Sequence, residues 1–496
     1  MISMKNKGEK NKHIGLKDKS ALNQEPSVSK DTGRKTILSI VYIFVGLFVL
    51  MMGYFTFFLL AKSDDVINST YNLRHDVLAK RIIRGNIMSS DGEILAETIT
   101  DEDGNEIRSY PYGDMYAHVV GRVMRGRAGI EEMENITLLT SYSNSAEAMY
   151  NDLVGVKNPG NNVISTLDHK LSKVAYDALG ENRGAVVAID PRTGKILAMI
   201  SKPSYDPNNI DQNWESISED SDNESPLLNR ASQGLYPPGS TFKLVTALAY
   251  MRANPDYLDY NYKCKGTTDY EGMTISCSNN KVHGNLDLKE AFSKSCNTSF
   301  STIGKELAID DFRQLSESLF FNKPLPARIS NNPSSFLLKT GESGVKESMQ
   351  TAIGQGRTLI SPLHNAMLAA TVANGGIMMK PYVIDRIESA GGRLLKGYIP
   401  EEVARLMTAE EADYLKSLMR SVVTDGTASR LNKLDVKVAG KTGTAEQEGK
   451  KPHSWFIGYA PANNPRIAIS IIVENKGSGS EYALPIAEKM FNAYFN

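Results

Sequence analysis

The longest uninterrupted apolar stretch of the chain runs from Ile37 to Ala61, 25 residues without a charged side chain. As a helix it would span about 37 Å, enough to cross a bilayer with some tilt. A buried core helix is rarely apolar on all sides over this length, and a signal peptide has an apolar run of only about 7–15 residues. The pattern therefore predicts one transmembrane helix over residues 37–61.

A basic segment precedes this helix. Residues 1–36 hold nine Lys/Arg and four Asp/Glu without apolar periodicity, which is typical of a flexible tail. An excess of Lys and Arg beside a membrane span stays on the cytoplasmic side. We therefore expect a single-pass protein of the cell membrane, with its N-terminus in the cytoplasm and residues 62–496 outside.

After the span, short apolar runs are separated by turn residues. Asp91-Gly92 and Asp103-Gly-Asn105 are such turns, so residues 62–160 are interpreted as a small module of strands and hairpins. The segment 157–162 has the composition of a linker. A second domain is expected over residues 161–496.

The second domain opens with alternating elements. Leu167–Leu179 has a helical pattern, and Gly184–Ile200 predicts two strands around the turn Pro191-Arg-Thr-Gly194. Farther along, Pro237-Pro-Gly239 cannot remain helical, whereas the apolar residues that follow form one helical face. A helix is expected to begin near Ser240, which places the Ser240 hydroxyl at the positive end of the helix dipole.

Composition and charge narrow the class of protein. The 496 residues are 41% hydrophobic and 23% charged, as in a globular protein of more than one domain. The formal net charge is -1, so no basic field indicates a nucleic-acid partner.

Three short motifs carry the candidate chemistry. They are Ser240-Thr-Phe-Lys243, Ser295-Cys-Asn297 and Lys441-Thr-Gly443, whose first residues are separated by 55 and then 146 positions. Lys243 lies one helical turn after Ser240, on the same face of the helix. Burial and a second cation, for which Lys441 is the candidate, would lower the pKa of Lys243 and make it a base. Ser295 and Asn297 are expected on a turn between helices, and Lys441 on an edge-like strand lining the cleft.

The three motifs in this order resemble those of the penicillin-recognising serine acyltransferases. Longer segments resemble the class B penicillin-binding proteins in particular. These segments are Arg84–Ala96, Asn229–Lys243, Ala352–Gly356, Lys441–Glu446 and Ser454–Pro461.

The resemblance implies an α+β fold. A single transmembrane anchor and a small N-terminal pedestal module would precede a transpeptidase domain, in which a five-stranded antiparallel sheet lies between helical clusters. The implied activity is that of a monofunctional peptidoglycan D,D-transpeptidase that crosslinks stem peptides through a serine acyl-enzyme and is inhibited by β-lactams.

The resemblance also implies residue roles. Ser240 is the nucleophile, Lys243 the base, and the Ser295 hydroxyl relays a proton to the leaving nitrogen. The amide of Asn297 binds the stem peptide, while Gly443 lets its backbone lie close. Thr442 and Thr444 hold the terminal carboxylate beside Lys441. The backbone N–H groups of Ser240 and Thr444 form the oxyanion hole.

The cysteines leave one question open. Cys264 and Cys277, 13 residues apart, could form a disulfide, and with three cysteines at least one thiol stays outside such a pair. Cys296 is interpreted as a small buried filler. No two histidines stand at metal-ligand spacing with these cysteines, so we expect no metal site and no cofactor.

Several alternatives share the same motifs. A D,D-carboxypeptidase would use water as acceptor, a β-lactamase would need a deacylating carboxylate, and a β-lactam sensor would carry several membrane spans. A catalytically idle scaffold of the wall-synthesis complex is the alternative from another class. The family resemblance suggests a polytopic glycosyltransferase of the shape, elongation, division and sporulation type as partner. The sequence leaves open the organism, the acceptor amine, the process served and the oligomeric state.

Overall fold

The computed structural model describes residues 30–61, 78–142, 145–220 and 224–496. Most of the predicted basic tail, residues 1–29, and the start of the predicted module, residues 62–77, lie outside the described residues. The first helix, Lys30–Ala61, is longer than the predicted span. An 18-residue stretch within its segment Arg34–Leu60 has a mean hydropathy of 2.4. It is the one helix among the described residues that is long and apolar enough to cross a membrane.

The described residues from 78 onward form a separate compact unit. Its helices are Gly129–Met133, Asn135–Leu138, Ser145–Val154, His169–Leu179, Trp214–Glu219, Lys243–Ala253, Leu288–Ser293, Asn297–Glu306, Ile309–Ser318, Val345–Ala352, Pro362–Ala373, Ala409–Thr424 and Ala483–Phe495. Helices and strands are mixed along the chain, so the predicted α+β class is confirmed.

The first sheet of this unit is mixed and has six strands. Its order is Leu394–Gly397, Ile384–Glu388, Asn162–Ser165, Ile87–Met88, Ile94–Thr100 and Glu106–Ser109. The turns predicted at residues 91–92 and 103–105 are confirmed, because antiparallel strands pair across both. Ile87–Met88 also pairs in parallel with Asn162–Ser165, so one sheet joins strands from both sides of residue 160.

The second sheet is the expected five-stranded antiparallel one. Its order is Ala439–Gln447, Lys450–Ala460, Ile467–Val473, Gly184–Ile189 and Ile196–Lys202. Strand Ile467–Val473 is buried throughout, as expected for a strand covered on both faces. Helices pack against the sheet, namely His169–Leu179, Ala483–Phe495, Pro362–Ala373 and Ala409–Thr424. Ala439–Gln447 is left as an edge strand.

Four two-stranded pairs complete the part of the chain that the structure describes. They are Ile82–Ile83 with Asn158–Pro159, Tyr262–Cys264 with Gly284–Leu286, Thr267–Tyr270 with Met273–Ser276, and Ile377–Met379 with Glu402–Arg405. The second and third of these pairs lie in the segment that leads to Ser295.

Candidate active site

Ser240 lies in a 3-10 turn, Gly239–Phe242, that continues into helix Lys243–Ala253. The predicted helix start near Ser240 is therefore confirmed. Two glycines allow this turn to approach its neighbours closely. A Cβ on Gly239 would lie 2.4 Å from the carbonyl oxygen of Thr444, and one on Gly354 would lie 1.9 Å from that of Gly239. The half-buried Ser240 is thereby held against the edge strand.

Lys243 is fully buried at the start of its helix. Its amine donates to the carbonyl oxygen of Ser295 at 2.8 Å, to the Ser295 hydroxyl at 3.3 Å and to Asn297 Oδ1 at 2.7 Å. Burial lowers the pKa of Lys243 to about 8, because desolvation disfavours the ammonium form. A substantial fraction of this amine is therefore neutral near pH 8.

Ser295 lies on the turn between helices Leu288–Ser293 and Asn297–Glu306, as the sequence predicted. Its φ of 53° is left-handed, a conformation that costs a non-glycine residue energy and is concentrated at functional sites. The backbone N–H of Cys296 donates to Ala291 O at 2.9 Å and holds the turn. The amide of Asn297 donates to Ser276 O at 2.9 Å, which fixes its orientation.

Lys441 reaches the same hydroxyl from the edge strand. Its buried amine donates to Ser295 Oγ at 2.8 Å and to Thr442 O at 3.1 Å. Burial, and after it the charge of Lys243, lowers the pKa of Lys441 well below its usual range. Burial and the charge of Lys441 were the two causes expected to lower the pKa of Lys243. Burial accounts for the shift in the pKa of Lys243. The charge effect acts in the other direction, from Lys243 on Lys441.

The remaining residues of the third motif line the same strand. The hydroxyl of Thr442, which is buried, is hydrogen-bonded to that of Thr427. Thr444 is half-buried, and its hydroxyl accepts from Gly479 N–H at 3.3 Å. A Cβ on Gly443 would lie 2.9 Å from Thr241 Cγ2 and 3.0 Å from Trp455 Cβ. Gly443 therefore permits close packing against the turn that carries Ser240.

Four buried residues that the sequence motifs did not single out anchor the segment leading to Ser240. Glu474 accepts from Arg230 Nε at 2.9 Å and from the Tyr236 hydroxyl at 2.8 Å. The indole of Trp455 donates to Pro237 O at 3.0 Å. A charged residue, Glu474, directly after an apolar strand is a signal that the sequence contains. The sequence does not identify its partner, because Arg230 is 244 residues away.

The three cysteines come together beside the second motif. All three are free, so the disulfide that the sequence left open between Cys264 and Cys277 is not formed. His283 completes the group, and the four donor atoms lie within 4.8 Å of one another. The sequence did not indicate this cluster, because it contains one histidine and not the paired histidines of a familiar metal motif.

Comparisons with known proteins agree with this geometry. Residues 184–496 match the family described as penicillin binding protein transpeptidase domain, and residues 84–163 match the penicillin binding protein A dimerisation domain. The chain is 32% identical over 448 residues to the peptidoglycan D,D-transpeptidase PbpA of Mycolicibacterium smegmatis, covering 81% of this chain and 87% of that relative.

Solved structures are similar as well. Penicillin-binding protein A from M. tuberculosis, as an imipenem acyl-enzyme complex, has a TM-score of 0.75 at 29% identity, covering 84% of this chain and all of that chain. The D,D-transpeptidase domain of a peptidoglycan glycosyltransferase from Eggerthella lenta has a TM-score of 0.75 at 31% identity, covering 84% and 98%.

Proposed function

Because the chain belongs to the penicillin-binding protein transpeptidase family, we propose that its described site crosslinks peptidoglycan with Ser240 as nucleophile and Lys243 as base. The protein is a serine-type peptidoglycan D,D-transpeptidase that is acylated by β-lactams. The observation that carries the residue roles is the position of the Ser295 hydroxyl. This hydroxyl accepts hydrogen bonds from two buried amines. One is that of Lys243, one helical turn after Ser240, and the other is that of Lys441 on the edge strand.

Acylation begins when neutral Lys243 takes the Ser240 proton. Ser240 Oγ attacks the penultimate D-alanine carbonyl, and the N–H groups of Ser240 and Thr444 stabilise the oxyanion. The proton passes from Lys243 through the Ser295 hydroxyl to the leaving nitrogen, the C–N bond breaks, and terminal D-alanine departs. An amine of a second stem peptide then attacks the ester, and Ser240 regains its proton.

The edge strand supplies the binding surface. An extended stem peptide adds to Ala439–Gln447 by main-chain hydrogen bonds, and the amide of Asn297 binds it from the other side. The terminal carboxylate binds beside Lys441. Thr442 and Thr444 both offer a hydroxyl to this carboxylate. The hydroxyl of Thr444 is the more accessible, because Thr442 is buried and its hydroxyl is hydrogen-bonded to that of Thr427.

The proposed setting is a single membrane anchor with the N-terminus in the cytoplasm, the small module over residues 62–160 and the transpeptidase domain over 161–496. The long apolar helix and the basic residues before it support this topology. A polytopic glycosyltransferase of the shape, elongation, division and sporulation type is the proposed partner. Tethering a polymerase raises the effective concentration of fresh strands at the serine site.

The test uses the full-length chain in detergent. After reaction with penicillin, mass spectrometry is expected to find one adduct, on the peptide containing Ser240. Ser240→Ala should remain unlabelled, and Ser216→Ala, at an exposed serine, should label as the wild type does. An adduct elsewhere, or equal labelling of Ser240→Ala, would overturn the assignment.

A second assay separates the transpeptidase from the carboxypeptidase alternative. A D-alanyl-D-alanine donor peptide is offered together with an excess of a D-amino acid acceptor. The exchanged peptide is the expected main product, and exclusive hydrolysis would favour the carboxypeptidase.

A further inference from the structure

Three sulfurs and one imidazole nitrogen form a compact group behind the second motif. The Sγ atoms of Cys264 and Cys277 are 3.8 Å apart, and those of Cys277 and Cys296 are 3.7 Å apart. His283 Nδ1 lies 3.4 Å from Cys264 Sγ. The three cysteines are buried and His283 is half-buried.

These three separations match edges of a metal tetrahedron, and all four donor atoms lie within 4.8 Å of one another. Zn–S bonds of about 2.3 Å and a Zn–N bond of about 2.0 Å place sulfurs about 3.8 Å apart and the nitrogen about 3.5 Å from each sulfur. A disulfide would bring two sulfurs to about 2.05 Å. We propose that Cys264, Cys277, Cys296 and His283 bind one structural Zn²⁺, a site that the sequence pattern did not indicate.

The surroundings suit bound thiolates. The backbone N–H of Gly266 donates to Cys264 Sγ at 3.4 Å, two residues after this ligand, and the Thr298 hydroxyl donates to the same sulfur at 3.4 Å. Such outer hydrogen bonds orient metal ligands. Four protein ligands close the coordination sphere, which is the arrangement of a structural zinc rather than a catalytic one.

The proposed metal would crosslink two short ribbons. Cys264 lies in the ribbon of Tyr262–Cys264 with Gly284–Leu286, and Cys277 directly follows the ribbon of Thr267–Tyr270 with Met273–Ser276. An isolated two-stranded ribbon is marginally stable, and much of the second ribbon is exposed. A metal that ties both ribbons to the helix that starts at Asn297 would stabilise this part of the fold.

The site is joined directly to the catalytic motif. Cys296 lies between Ser295 and Asn297, and Cys277 follows Ser276, whose carbonyl oxygen accepts from the Asn297 amide. The zinc would therefore fix the positions of the Ser295 hydroxyl and the Asn297 amide. A misplacement of about 1 Å at such groups costs on the order of 100-fold in rate.

The first experiment measures metal in the full-length chain by mass spectrometry. One zinc per chain is expected in the wild type and in Ser278→Ala, whose exposed side chain lies in the same loop. His283→Ala should lose zinc, because three thiolates then hold it alone. A wild-type chain without zinc after expression in zinc-supplemented medium would overturn the site.

A second measurement avoids variants that fail to fold. A mercurial reagent titrates the thiols of the native protein while a chromogenic chelator reports the metal released. Release of one zinc as three thiols react supports the site, and thiols that react without releasing metal contradict it. Uptake of Co²⁺ by the zinc-depleted chain should give the visible bands of tetrahedral thiolate coordination.

The positioning effect rests on the proposed function and is tested separately. Removal of zinc by a chelator should slow penicillin acylation by on the order of 100-fold, and added Zn²⁺ should restore it. Stoichiometric zinc whose removal leaves acylation unchanged would overturn the positioning role. A zinc-loaded chain that is not acylated at Ser240 would instead contradict the proposed function.

Discussion

Lys441 donates a hydrogen bond of 2.8 Å to the hydroxyl of Ser295 across 146 residues of sequence. Lys243 approaches the same hydroxyl at 3.3 Å, and both lysines are fully buried. Burial disfavours the ammonium form of both lysines, and the charge of Lys243 further lowers the pKa of Lys441. Burial is therefore the structural basis for a neutral Lys243 amine one helical turn after Ser240.

Lys243→Arg should be nearly inactive although the positive charge is kept. A guanidinium does not deprotonate in a protein, so it cannot accept the Ser240 proton. The measurement is the second-order rate of penicillin acylation, compared with the wild type. A variant that retains more than about a tenth of that rate, a loss of under about 1.4 kcal/mol, would show that Lys243 acts as a fixed charge.

Acylation should rise with pH through the pKa of Lys243. That pKa is lowered to about 8 by burial, and the base form is the neutral amine, so protonation below pH 8 removes the base. The acylation rate should fall about tenfold per pH unit well below this value. Stopped-flow acylation from about pH 6 to pH 9 checks the profile, and a rate independent of pH over this range would contradict the assignment.

Glu474→Gln should destabilise the protein strongly. The carboxylate pairs with Arg230, which is almost fully buried, and accepts from the Tyr236 hydroxyl. Removing one partner of a buried pair leaves an uncompensated charge and costs about 3–5 kcal/mol. Denaturation of the full chain measures the change. Glu317→Gln is the control, because its pair with Arg313 is partly exposed and should contribute under about 1 kcal/mol.

Gly443→Ala should reduce both stability and the acylation rate. The added Cβ meets Thr241 Cγ2 at 2.9 Å and Trp455 Cβ at 3.0 Å, so the strand or the Ser240 turn must shift. Overpacking of this kind costs about 1–3 kcal/mol. Gly397→Ala is the matched control, since no heavy atom beyond its chain neighbours would lie within 4 Å of the added methyl group. Equal stability and acylation of the two variants would contradict the packing role.

Much of the fold was predictable from local patterns. The apolar run from Ile37 and the hairpin around Pro191-Arg-Thr-Gly194 depend on neighbouring residues, and both elements are present. The helix start near Ser240 was also predictable, because Pro237-Pro-Gly239 stops any earlier helix. The five-stranded sheet was predicted from the family resemblance. Local patterns do not give its strand order, because the order joins residues from opposite ends of the second domain.

The sequence by itself determined the composition of the site. Its serines, lysines, asparagine and glycine were identified from three short motifs, since each motif is local in the chain. Only the tertiary structure decided which groups meet. In the folded chain both lysine amines donate to the Ser295 hydroxyl, and Arg230 pairs with Glu474. The donor atoms of four further residues lie close together, those of Cys264, Cys277, Cys296 and His283. These contacts link residues up to 244 positions apart. Burial, which sets the pKa of Lys243 and the cost of an unpaired charge, exists only once the chain is packed.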